Sequence, residues 1–94
     1  MTKQDIVNEI SNKTGIEKVT VMNTVEALME TVKHSMSKGS NIYLRGFGTF
    51  EVIKRAKKTA RNISKNTTLI IPEHFIPKFK PSKEFVQKVK MEKH

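Results

Sequence analysis

Apolar residues recur at helical spacing as far as Gly39 and at alternate positions after Ser40, so the chain reads as helices first and strands second. Thr2 followed by Asp5 predicts a helix start, a hydroxyl cap with an acid near the positive end of the helix dipole. Ile6, Val7 and Ile10 then share one face, and Thr14-Gly15 ends the segment. A longer helix is predicted from about Lys18 to Lys38. Its stripe of Met22, Val25, Leu28, Met29, Val32 and Met36 reads as core or subunit interface, with Gly39 as the stop. The period then falls to two residues. Ile42 and Leu44 alternate with Tyr43 and Arg45, and Gly46-Phe47-Gly48 predicts a tight turn into a second strand carrying Phe50, Val52 and Ala56 on one face. Thr67, Leu69 and Ile71 form a return strand that Pro72 ends. Residues 75–81 are expected to be extended, since each proline biases its predecessor toward β. A short helix follows from about Ser82 to Lys90, with Phe85, Val86 and Val89 inward.

Charge divides the same way. Residues 1–44 hold five Lys and five acids, whereas residues 45–94 hold thirteen Lys or Arg and four acids, which supplies the whole net charge of +9. A neutral half and a basic half predict a scaffold and a polyanion-binding surface. The sharpest cluster lies between Val52 and Pro72, where Lys54, Arg55, Lys57, Lys58, Arg61 and Lys65 occur without one acid. The turn-forming Asn62, Ser64 and Asn66 sit near its middle. This is the pattern of a cationic two-stranded ribbon, an element able to enter a DNA groove. An edge kept soluble by charge needs one or two cations rather than six. At about nine residues per strand the arm spans roughly 30 Å. Ile63 stands at its tip as an apolar wedge candidate for minor-groove insertion.

Other chemistries find little support. There is no phosphate-binding glycine loop, nucleophile elbow or paired histidine on a helix, so an enzyme such as a small nuclease lacks a site. His34, His74 and His94 have no metal-ligand spacing, and neither a cofactor nor a metal is expected. No cysteine is available for disulfides. With one domain of 94 residues and some twenty in an arm, the core is thin, and oligomerisation is the expected remedy. The N-terminus leads straight into an amphipathic segment rather than an apolar run, and no stretch is long enough to cross a membrane. A cytoplasmic protein is expected.

The motifs together resemble the bacterial HU/IHF family of DNA-bending proteins. The resemblance runs through Gly46-Phe47-Gly48-Thr49-Phe50, Arg55-Ala56, Arg61-Asn62, Ile71-Pro72 and Phe79-Lys80-Pro81 with Lys83, in order and without a gap. It implies an α+β fold in an intertwined dimer: two N-terminal helices, an antiparallel sheet with a protruding basic β-arm, and a short C-terminal helix. Residues 1–39 would be the helical dimerisation part, 40–81 the β-saddle and arm (the arm about 53–71), and 82–94 the C-terminal helix and tail. Carried onto this chain, Arg55, Lys57, Lys58, Arg61 and Lys65 would line the arm, with Asn62 and Ile63 at its tip. Arg45 and the backbone at Gly46 and Gly48 would meet phosphate near the saddle, and Lys3, Lys80 and Lys83 would add flank contacts. Val25, Leu28, Met29, Val32, Met36, Leu44, Phe47, Phe50 and Phe79 would form the dimer interface.

The chain departs from the family pattern at three places. Ile63 stands where the family usually has a proline wedge, Lys65-Asn66 where the tip often carries Thr-Gly, and Ala60 where a glycine commonly precedes Arg-Asn. The function implied is a dimeric architectural protein of the nucleoid that grips double-stranded DNA in the minor groove, bends and condenses it, and shows low sequence specificity. Two alternatives stand beside it: a site-preferring subunit of an IHF-like heterodimer, and a basic module for RNA or another polyanion. No aromatic residue lies among the arm cations to stack on unpaired bases, which favours duplex DNA.

Overall fold

The computed structural model describes residues 1–62 and 67–92, without the side chains of Arg61 and Asn62. Ile63 and Lys65, expected at the arm tip, lie outside the described residues. The order is α1 (Lys3–Thr14), α2 (Lys18–Ser37), β1 (Ile42–Leu44), β2 (Gly48–Arg55), β3 (Lys58–Asn62), β4 (Thr67–Ile71), β5 (His74–Pro81) and α3 (Lys83–Met91). This is the α+β arrangement of helices and antiparallel strands that the periodicity predicts.

Helix α1 starts at a reciprocal cap. The Asp5 amide donates to Thr2 Oγ1 at 3.2 Å, and the Thr2 amide donates to Asp5 Oδ2 at 2.9 Å, so two otherwise orphaned donors are satisfied. The Thr2 amide, and after it the Thr2 hydroxyl, hold the Asp5 carboxyl below its ordinary pKa of 3.8. The helix ends where Gly15 takes φ 75° and donates to the Ser11 carbonyl at 2.9 Å. Helix α2 has Glu17 at its N-cap without a side-chain cap, and Gly39 with φ 89° follows its last turn. Between the two helices, Lys3 Nζ meets Glu26 Oε1 at 3.0 Å.

The strands form two sheets, a three-stranded one in the order β1-β2-β5 and a two-stranded one of β3 and β4. Both share one continuous register. Arg55 opposes His74, and three residues further on Lys58 opposes Ile71, so no residue is gained or lost between them. The ribbon therefore runs from the Gly48↔Pro81 pair to the Asn62↔Thr67 pair, with an interruption at Ala56-Lys57 and Pro72-Glu73. At ~3.3 Å per residue it spans roughly 50 Å, most of the 58 Å long axis of the chain.

Two details differ from the periodicity reading. Ala56 belongs to the interruption rather than to a strand. Residues 75–81 are not merely extended but pair with β2 along its length, Pro77 and Pro81 included. That strand lies at the sheet edge, where a proline sacrifices no ladder bond.

Little of the chain is buried. Among the described residues, Val7, Val21 and Met36 are the buried hydrophobic ones, and Val21 has no place in the predicted stripe. Leu28 and Met29, which do, are 54% and 41% exposed. The accessible surface is 8233 Å², against about 5,500 Å² for a compact monomer of this mass. The radius of gyration is 18.9 Å, against about 12 Å for a compact domain of this length.

Candidate nucleic-acid interface

The turn between β1 and β2 is fixed by the start of α3. Gly46 takes φ 81°, and the Phe47 amide donates to the Leu44 carbonyl at 2.9 Å. Ser82 then reaches this turn twice: its amide donates to the Phe47 carbonyl at 2.9 Å, and its hydroxyl to the Gly46 carbonyl at 2.9 Å. The same hydroxyl accepts from the Phe85 amide at 3.2 Å and so caps α3. A Cβ on Gly48 would stand 2.5 Å from the Lys80 carbonyl oxygen and 2.7 Å from the Phe79 ring, so only glycine lets β2 and β5 approach here.

Behind the turn the rings gather. Phe79 lies 5.2 Å from Phe47, 4.9 Å from Phe50 and 6.1 Å from Phe85 between centroids, and Phe47 lies 5.3 Å from Phe85. The family resemblance groups Phe47, Phe50 and Phe79, as interface residues, while the periodicity places Phe85 only on the inner face of α3. The Ser82 cap turns α3 back so that its first turn joins the cluster.

This scaffold brings five of the expected contacts together. Arg45, Gly46, Gly48, Lys80 and Lys83 line one shallow concavity of about 440 Å³, with Tyr43, Thr49 and Ser82 beside them. Glu51 borders the same concavity and opposes Lys78 in the register. Gly48 itself is buried, whereas Arg45, Lys80 and Lys83 are exposed around the concavity, and three cations so placed suit an oxyanion.

The arm residues form a second group. Arg55 ends β2, Lys57 lies in the interruption and Lys58 opens β3; all three are exposed and form no ion pair among the described residues. Arg61 opposes Thr68 and Asn62 opposes Thr67 in the register. Lys54 is different: its Nζ lies 3.2 Å from Glu73 Oε2, a pair that ties β2 to the interruption on the opposite strand. Every described residue of β4 is exposed, and β3 is exposed up to the half-buried Ala60. Lys3 joins neither group, being held by Glu26 in the helical part. That pair is exposed, so it is worth little and yields readily to another anion.

The expected interface residues also divide. Val32 and Met36 line an apolar groove of about 570 Å³ with Phe50, Val52 and Phe75, between α2 and the sheet. Val25 and Leu44 are half-buried, and Phe47 is 45% exposed despite its ring contacts. Among the described residues there is no cluster of three or more side chains suited to a metal ion, and no helix is long and apolar enough to cross a membrane.

Known proteins share this arrangement. A family model described as bacterial DNA-binding protein matches residues 1–90. The chain is 36% identical over 90 residues to DNA-binding protein HU of Thermotoga maritima, covering 96% of this chain and 100% of that one. It is 39% identical to DNA-binding protein HU of Thermus thermophilus, covering 96% and 93%. A cocrystal structure of Anabaena HU with DNA superposes with a TM-score of 0.90 at 30% identity, covering 98% of this chain and 100% of that one. With the fold, the ribbon and nearly the whole sequence in agreement, the chain belongs to the HU family of bacterial DNA-binding proteins.

Proposed function

We propose that two copies of this chain intertwine into a dimer that grips double-stranded DNA in the minor groove with its two arms and bends and condenses it. It acts as an architectural protein of the nucleoid, in the cytoplasm, rather than as an enzyme. The observation that carries this reading is the row of Arg55, Lys57 and Lys58 on a projecting ribbon, with no acid within ion-pair distance of them among the described residues. Cations left unneutralised along a ribbon that fits a groove act on phosphates. The concavity at Arg45, Lys80 and Lys83 supplies a second point of attachment at the arm's root. Relatives named DNA-binding protein HU, and the cocrystal structure of Anabaena HU with DNA, support the ligand.

The dimer is supported by surface. With three buried hydrophobic residues among those described, an exposed Leu28 and Met29 and an open groove against α2, the chain needs a partner to complete its core. Residues 1–39 would supply most of that interface and 40–81 the DNA surface. Ile63 would be the wedge, since an apolar side chain at the arm tip unstacks a base step and the bend it creates lets more phosphates be reached.

The test is a titration against straight, nicked and pre-bent duplexes at two salt concentrations, with the oligomeric state measured on the same sample. A dimer presents twelve arm cations. With about half of them on phosphate, log K falls against log salt with a slope of about −5. Nicked and pre-bent duplexes should bind tighter than straight ones, because their deformation energy is lower. A slope near zero, or equal affinity for single-stranded RNA, would overturn the reading. Ile63→Ser should shrink the bend angle measured by end-to-end fluorescence transfer. An unchanged angle would show that charge alone holds the DNA.

A further inference from the structure

We infer that Tyr43 is a contact to the DNA backbone, donating its phenolic hydrogen to a phosphodiester oxygen at the concavity beside the arm root. The inference rests on the duplex-binding reading and extends it to a neutral residue outside the cationic set.

Strand β1 alternates in burial: Ile42 and Leu44 are half-buried and Tyr43 is 74% exposed, so its ring stands on the face turned away from the Phe cluster. The register sets Tyr43 opposite Thr49, and Thr49 opposite Lys80. The three residues thus form one row across β1, β2 and β5. The row borders the same concavity as Arg45 and Lys83.

Neither the Tyr43 hydroxyl nor the Thr49 hydroxyl has a hydrogen-bond partner among the described residues, whereas Ser82 uses its hydroxyl both as donor and as acceptor. A tyrosine suits a strand for its ring alone. A ring three-quarters exposed contributes little packing, however, and its donor is left to solvent. A phosphodiester drawn in by Arg45, Lys80 and Lys83 meets that donor, and neutral hydroxyls of this kind fix the register of a backbone.

The chain contains one tyrosine and no tryptophan, which makes the test specific. Nitration of the intact protein, followed by mass, reports on Tyr43 alone. A saturating duplex should block it. Tyr43→Phe, which removes only the hydroxyl, should weaken duplex binding by about five- to thirtyfold for two such hydrogen bonds per dimer. The salt slope should not change, because a neutral donor releases no counterion. The melting temperature should not change either. Nitration unaffected by duplex, wild-type affinity in Tyr43→Phe, or a lowered melting temperature that accounts for the weaker binding would each overturn the inference while leaving duplex binding intact. Failure of the wild type to bind duplex would instead overturn the reading on which it rests.

Discussion

The two ends of the ribbon share one register and differ in almost everything else. At the base, β2 and β5 place Phe50 opposite Phe79 and Val52 opposite Pro77, with α2 and α3 behind them. At the far end, β3 and β4 place Lys58 opposite Ile71 and Ala60 opposite Leu69, and of the residues whose side chains are described all but Ala60 are exposed. Pairing is therefore not what distinguishes fold from function here. A two-stranded ribbon without a packed face is marginal in water. The arm keeps its form by continuing strands that the base holds in place, which leaves its side chains free to be selected for charge.

The comparison breaks most visibly at the rings. Phe79→Ala should cost about 3–5 kcal/mol, as truncation of large core aromatics does. Leu69→Ala, on the arm, should change stability by no more than about 0.5 kcal/mol. Denaturant unfolding at one fixed protein concentration measures both, since the proposed dimer would melt in a concentration-dependent way. Equal losses at the two sites would mean that the arm belongs to the cooperative core.

The converse experiment leaves the fold alone. The double substitution Arg55→Ala with Lys58→Ala should leave the melting temperature unchanged. It should flatten the salt slope of duplex binding by about 3–4, since each phosphate left unneutralised on either subunit subtracts roughly 0.9. Affinity should fall alike across sequences, because phosphate contacts position rather than specify. An altered sequence preference with an unchanged slope would place these residues against base edges instead.

The smallest effect lies in the helical half, far in character from the ribbon. Asp5 has a folded pKa below its ordinary 3.8, so its cap stabilises fully above that value and the contribution is lost as pH falls through the folded pKa. Asp5→Asn should lower the melting temperature slightly at neutral pH, and the gap to wild type should close as pH falls below 3.8. A gap that persists in acid would assign the effect to packing rather than to the charged cap.

How far such features are legible in the sequence depends on whether they are local. The Thr2 and Asp5 cap, the Gly15 stop and the change of period after Ser40 involve residues a few positions apart, and the structure forms each of them. The strand at 74–81 is harder, because Pro77 and Pro81 argue against a ladder until its place at a sheet edge is known. The helical stripe gives the apolar face of α2 but not its division. Val21 packs within the chain while Leu28 and Met29 stay open, and periodicity cannot say which neighbour covers a face. Tyr43 reads only as an alternation partner, because its place in a row with Thr49 and Lys80 arises from pairing across three strands. The Lys54–Glu73 pair is equally non-local, joining β2 to the interruption on the opposite strand.

Amide hydrogen exchange with and without a bound duplex tests the division of the ribbon most directly. Free protein should exchange fastest in β3 and β4 and slowest where β2 faces β5, because opening costs least where little apolar surface is packed. Adding duplex should slow exchange across residues 58–62 and 67–71 by a large factor and leave the amides of Phe50 and Phe79 nearly as they were. Protection confined to the base, with the arm strands exchanging as fast as before, would contradict the assignment of the arm as the DNA-gripping element.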